Sequence, residues 1–137
     1  RNPLGKKPGV FLYRSHQKVS FKEIMKEIKK IADEGVEKGV VYFKQEPAIM
    51  AIACKDLESA GKLLYIAREK VGFKNSGIMS LKKRVIAEIR ATEYLALPIM
   101  NAGKLIVSED YLCDLIKEAN SRLERTWKKI KKLEKEL

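Results

Sequence analysis

Residues 72–90, GFKNSGIMSLKKRVIAEIR, hold the densest set of groups able to do chemistry. Lys74, Asn75, Ser76 and Gly77 form a polar turn with donors and room for close backbone approach. Lys82, Lys83 and Arg84 follow, and residues 85–90 alternate apolar and polar as a half-buried strand does. Val85, Ala87 and Ile89 then face one way, while Ile86, Glu88 and Arg90 face the other. Two readings fit this stretch. One is an ordinary helix-to-strand connection with a solvated basic loop. The other is a site for an anionic or polar ligand, with amides around Ser76 and Gly77 facing it and Arg84 and Arg90 holding charge.

Two further residues invite the same question. His16, the single histidine, reads as a surface or structural residue or as a proton acceptor near neutral pH. Asn120 falls in mid-helix beside an apolar face, where an amide is costly unless hydrogen-bonded. It is a buried structural amide or a ligand contact.

The elements that position these groups follow from the pattern. Residues 1–9, RNPLGKKPG, read as an extended or loop segment, and residues 10–14 as a strand with Arg14 at its end. Ser20 and Glu23 form a capping box for a helix reaching about Asp33. Phe21, Ile24, Met25, Ile28, Ile31 and Ala32 make its apolar stripe. Lys22, Lys26, Lys29 and Lys30 line the other side, as a solvated face or one that meets phosphates. Residues 40–44 and 49–54 read as a β-hairpin, and Asp56 caps a second helix ending at Val71 before Gly72. A strand over 84–92 runs towards another at 94–98. A tight turn over 101–104 leads into residues 105–107. Ser108 caps a last helix to Leu137, about 40 Å long at about 1.5 Å per residue. Leu112, Ile116, Ala119, Leu123, Ile130, Leu133 and Leu137 form its seam.

The expected fold class is α+β: a mixed, largely antiparallel sheet built from helix-plus-hairpin units, not of the Rossmann type, with a long C-terminal helix. A single domain over 1–137 is expected. The order of elements hints at an internal duplication of 10–54 and 56–107, with the helix over 109–137 appended.

Composition narrows the partners. The 137 residues carry 29 basic and 18 acidic side chains, a net charge of +11. That implies an anionic partner, with nucleic acid ahead of membrane because no basic helix carries aromatic anchors. No apolar run approaches the roughly 18 residues of a membrane span. Cys54 and Cys113 lie far apart and read as reduced, buried residues of a cytoplasmic protein. With one His and two Cys, no zinc site is expected. Abundant Lys and Glu with two Gln lean towards a thermophilic source. There is no serine triad, P-loop, catalytic carboxylate pair or GxGxxG after a strand. The residues alone therefore lead to a basic α+β protein that binds RNA.

GF-K-N-SGI, the basic run after it and the strand ending in Ile89 and Arg90 resemble the tRNA wybutosine-synthesizing protein 3 family, with its GFRxSGI-like segment and strand ending in IR. The resemblance extends to Gly5, Lys6 and Lys7, the segment leading to His16, and LPI at 97–99. It continues through GKLIVSEDYL at 103–112 and the helix with Ala119 and Asn120. The family implies an S-adenosylmethionine-dependent methyltransferase with a non-Rossmann fold. Its substrate would be a ring nitrogen of the tricyclic wyosine-type guanosine beside the anticodon of phenylalanine tRNA. By the same resemblance His16 and Arg90 are catalytic candidates, and Ser76, Gly77 and Asn120 face the methyl donor. Lys6, Lys7, Arg14, Lys74, Arg84 and Tyr111 contact RNA or the base. Two departures stand out. The family's SxSSCSGR-like motif does not occur in this chain, and Lys74 stands where the family usually has Arg. The reading outside the enzyme class is a non-catalytic basic RNA-binding module, which would ignore S-adenosylmethionine and bind RNA with steep salt dependence.

Overall fold

A computed structural model describes residues 11–34 and 39–137. Lys6 and Lys7 lie outside the described residues. The chain is α+β. Its elements are α1 (Phe21–Glu34), β1 (Val40–Gln45), β2 (Ile49–Cys54), α2 (Leu57–Tyr65), β3 (Gly77–Ser80), β4 (Val85–Arg90), β5 (Leu95–Asn101), β6 (Lys104–Leu105) and α3 (Glu109–Glu136). The described residues fall into two compact units. One holds those up to Lys44 with Ala96–Asn120, the other Gln45–Leu95 with Ser121–Leu137.

In the second unit, β4 lies between β2 and β3, antiparallel to both. Asp56 caps α2 by accepting from the Ser59 amide at 2.8 Å, as the sequence predicts. The helix then loosens into a π-helical turn, Ile66–Val71, and stops at Gly72 in the left-handed conformation, φ 98°. The Gly72 and Phe73 amides both donate to the Ala67 carbonyl, at 3.1 and 2.8 Å, so the chain leaves the helix with its last amides satisfied. Phe73 drops into a core of Leu63, Ala67, Val71, Ala87, Ile89, Ala91 and Leu133. Ala87 and Ile89 are fully buried, so the inward face of β4 is the one the alternation predicts.

In the first unit the sheet order is β1-β5-β6. Ala102 and Gly103, both at positive φ (51° and 77°), make the two-residue turn between β5 and β6. Such turns match the right-handed twist of the strands they join. Ile24 and Ile28 of α1, Ile99 and Met100 of β5, and Leu112, Leu115, Ile116 and Ala119 of α3 are buried. Ser20 caps α1 as expected, accepting from the Glu23 amide at 3.1 Å, and the Glu23 carboxylate reaches back to the Ser20 hydroxyl, also at 3.1 Å. Ser108 caps α3 through the Tyr111 amide at 3.0 Å.

Four expectations are corrected. β1 and β2 do not pair with each other: β1 joins β5 and β2 joins β4. The break at Gln45, Glu46 and Pro47 looks like a hairpin turn, but pairing is decided by non-local partners. Residues 11–14 are not in a strand, and among the described residues no strand takes their backbone; Tyr13 instead donates to Glu23 at 3.2 Å. Residues 77–80, read as turn and loop, form strand β3, whose register shifts between Ile78 and Ser80 and so blurs the period of two. Cys54 and Cys113 are free, and both are half-buried rather than buried. Among the described residues, no helix is long and apolar enough to cross a membrane.

Candidate functional site

Helix α2 covers one face of the β2-β4-β3 sheet and leaves the other open. Register places Ile49 opposite Arg90, Ala51 opposite Glu88 and Ala53 opposite Ile86, while Gly77 of β3 also pairs with Glu88. Paired residues share a face. The centre of this face is therefore a polar pair, Glu88 and Arg90, with Ala51 and Gly77 beside Glu88 and Ile49 beside Arg90. Ile49, Ala51 and Ala53 are exposed. A methyl group added at Gly77 would meet nothing within 4 Å.

The pair is held tightly. Arg90 donates through Nε and Nη2 to Glu88 Oε1, at 3.3 and 3.1 Å. Both side chains keep access to solvent, 39% for Arg90 and 25% for Glu88. Ser76 lies behind them, buried at 4%. Its hydroxyl accepts from the Arg90 amide at 3.0 Å. Its carbonyl accepts from Arg68 Nη1 at 3.3 Å, and its own amide donates to the Phe73 carbonyl at 3.2 Å. Ser76 thus ties the turn to the end of β4 and fixes where the Arg90 side chain begins.

The structure brings Ser76, Gly77 and Arg90 together in the second unit. Lys74 belongs to the same turn but pairs with Glu69 at 3.7 Å, both well exposed. Arg84 is exposed ahead of β4. The remaining candidates lie in the first unit. His16 is exposed in a turn closed by Ser15, whose hydroxyl accepts from the Gln17 amide at 3.0 Å and donates to the Gln17 carbonyl at 3.1 Å. The Arg14 guanidinium sits over the Phe11 ring, 5.6 Å from its centroid. Tyr111 is 49% exposed in the first turn of α3. Asn120 is engaged on both sides of its amide: Oδ1 accepts from the Val19 amide at 3.0 Å and Nδ2 donates to the Val19 carbonyl at 2.7 Å. Asn120 is half-buried, and these two bonds pin the segment that follows His16.

Three contributors were not singled out from the sequence: Arg68, Ala51 and Ala53. The period-two run of small residues in IMAIAC (Ile49–Cys54) was the available signal for the alanines. Arg68 is three residues from the end of a helical segment, and only the fold brings its guanidinium to Ser76.

Among the described residues, three carboxylate or phenol groups are shifted from their ordinary values; the first is Asp56, held below the usual carboxylate range by the hydrogen bond from the Ser59 amide. Arg125, hydrogen-bonded to Glu93 at 3.1 and 3.3 Å, holds that carboxyl below the usual carboxylate range, with Arg122 at 3.6 Å adding to the effect. Loss of solvent raises the Tyr13 phenol, reinforced by its bond to Glu23. Among the described residues, no cluster of three or more His, Cys, Asp or Glu could hold a metal ion.

The family model described as Methyltransferase TYW3 matches residues 1–137. A Thermococcus sibiricus protein named tRNA(Phe) 7-((3-amino-3-carboxypropyl)-4-demethylwyosine(37)-N(4))-methyltransferase is 36% identical over 93% of this chain and 62% of its own length. A Danio rerio protein named tRNA wybutosine-synthesizing protein 3 homolog is 33% identical over 89% of this chain and 46% of its own. Among solved structures, the PH1069 protein from Pyrococcus horikoshii superposes with a TM-score of 0.83 at 34% identity, covering 91% of this chain and 62% of that one. The chain thus spans less than two thirds of the length of these relatives.

Proposed function

The chain belongs to the TYW3 methyltransferase family, and on that footing we propose that it methylates a ring nitrogen of a tricyclic wyosine-type base in tRNA(Phe), with S-adenosylmethionine as methyl donor. Its relatives are named for N4 methylation of 7-(3-amino-3-carboxypropyl)-4-demethylwyosine at position 37. The observation that carries the reading is the open sheet face with Glu88 and Arg90 at its centre.

That face suits the donor. The amino-acid end of S-adenosylmethionine is a zwitterion, and an adjacent carboxylate and guanidinium complement it charge for charge. Gly77, Ala51 and Ala53 leave room for the rest of the molecule beside the pair. When bound, the donor supplies a methyl group already activated on a sulfonium. The chain must then align the target nitrogen, exclude water and accept the proton that the methyl group replaces.

The roles follow. Arg90 holds the charged end of the ligand, and Ser76 acts through Arg90 by fixing its backbone. Gly77 gives close approach. His16 is the candidate proton acceptor, and within the first unit Asn120, through Val19, positions the segment that carries it. Arg84, Lys74 and Arg14, with Lys6 and Lys7, meet phosphates, and Tyr111 offers a ring for stacking on a base.

The test is transfer of label from S-adenosylmethionine to tRNA(Phe) carrying the unmethylated tricyclic base. The native chain is expected to label the base. Arg90→Ala is expected to lower turnover by about 10²-fold or more with the folded signal and melting temperature retained. Unchanged turnover in that variant removes Arg90 from the site. No label with the native chain, together with salt-sensitive tRNA binding, leaves the RNA-binding module as the function.

A further inference from the structure

Helix α1 carries a surface that the methylation site does not use. A groove of ≈ 430 Å³ is lined by Phe21, Lys22, Met25, Lys26, Lys29 and Glu109. Its floor is apolar: Phe21 and Met25 are half-buried rather than closed into the core with Ile24 and Ile28. Its wall is cationic. At about 100° per residue, Lys22, Lys26 and Lys29 fall within about 60° of arc along about 10 Å of helix. Each is exposed, and none has an ion-pair partner among the described residues. The acids of the helix lie elsewhere. Glu23 and Glu27 sit about 100° or more round from Lys22, and Glu23 is occupied by the Tyr13 and Ser20 hydroxyls. Asp33 enters the lysine arc only in the last turn.

We propose that this groove is a docking track for the RNA backbone of the substrate tRNA, with phosphates on Lys22, Lys26 and Lys29 and a base or sugar against Phe21 and Met25. The proposal rests on the tRNA reading above. Charge complementarity selects the occupant: three solvated ammonium groups in a row, in a chain of net charge +11, beside an aromatic ring. Glu109 is the one acid in the groove lining and opposes phosphate. It therefore supplies a test of opposite sign.

Binding of tRNA(Phe) would be titrated over a range of salt with the native chain, Lys22→Gln/Lys26→Gln/Lys29→Gln, and a charge-matched control on exposed α3 lysines, Lys131→Gln/Lys132→Gln/Lys135→Gln. Each phosphate contact contributes about 0.7–0.9 to the slope of log affinity on log salt, so the α1 triple variant is expected to flatten that slope by about 2 and to weaken binding about tenfold or more at low salt. The control is expected to shift the slope by less than half as much, and Glu109→Gln to tighten binding. Melting temperatures of all three variants check that the fold is intact. An unchanged slope in the α1 triple variant, equal losses in both triples, or no tRNA binding by the native chain overturns the track. Lost methyl transfer with the α1-dependent slope intact sinks the catalytic reading and leaves the track. Intact transfer with an unchanged slope does the reverse.

Discussion

Residues 72–80 and the outer face of α1 are both rich in polar groups, and they spend them in opposite ways. In the turn, the Ser76 hydroxyl accepts from the Arg90 amide, its carbonyl accepts from Arg68, and its amide donates to the Phe73 carbonyl. Lys129 reaches the Gly72 carbonyl at 3.5 Å and lies over the Phe73 ring, 5.9 Å from its centroid. On α1, by contrast, three lysines stand in solvent along one groove. Groups answered inside the protein fix geometry, which a site for in-line transfer requires. Groups left in water keep their charge available to a partner from outside. The same residue classes are thus answered inside the protein in one place and left to solvent in the other.

The difference is sharpest at Phe73, which is 1% exposed and anchors the turn in the core of the second unit. Phe73→Ala is expected to cost about 3–5 kcal/mol of unfolding free energy through lost burial and a cavity. Chemical denaturation measures it. A loss below about 1 kcal/mol would mean that the turn holds its shape without the core, against the contrast drawn above.

Ser76 is the next largest. Ser76→Ala leaves the Arg90 amide without its side-chain acceptor, and an unsatisfied buried donor costs about 1–3 kcal/mol. Lys26→Gln on α1 is expected to move stability by no more than about 0.5 kcal/mol. If the two variants destabilise equally, Ser76 is not the brace that its three hydrogen bonds describe. Ser76→Ala should also lower methyl transfer beyond its effect on stability, because the Arg90 side chain starts from the backbone that Ser76 holds.

Local signals were legible where the physics is local. The caps at Ser20, Asp56 and Ser108, the left-handed stop at Gly72 and the inward face of β4 all follow from short-range rules. So did the placing of Glu88 and Arg90 on one face. What the sequence hid is non-local. The partner of β1 lies more than fifty residues away in β5, and nothing in residues 40–54 distinguishes that from a hairpin. Strand β3 was masked by its irregular register, and the role of Arg68 by distance along the chain. Ser76 and Asn120 show the harder limit: donor-rich residues look alike whether their bonds go to a ligand or to the backbone.

Glu93 offers the finest test, because it is a charged group committed as fully as Ser76. Its side chain is 17% exposed and accepts from Arg125 at 3.1 and 3.3 Å, with Arg122 at 3.6 Å. Arg122 also donates to the Tyr94 carbonyl at 3.3 Å, so the clamp holds the link between β4 and β5 to the middle of α3. The hydrogen bond from Arg125 depresses the folded-state value of the carboxyl. A depressed acid contributes stability that is complete above its ordinary value, about 4.3, and disappears as pH falls through the lower folded value. Unfolding free energy should therefore drop on acidification below about pH 4.5, by about 1 kcal/mol for this group given the exposure of Arg125. Glu93→Gln should lower stability by a similar amount at neutral pH and flatten that acid limb. High salt should shrink the difference between the two proteins. An acid limb that is unchanged in Glu93→Gln would place the carboxylate with the solvated charges of α1 and remove it from the braced half of the comparison.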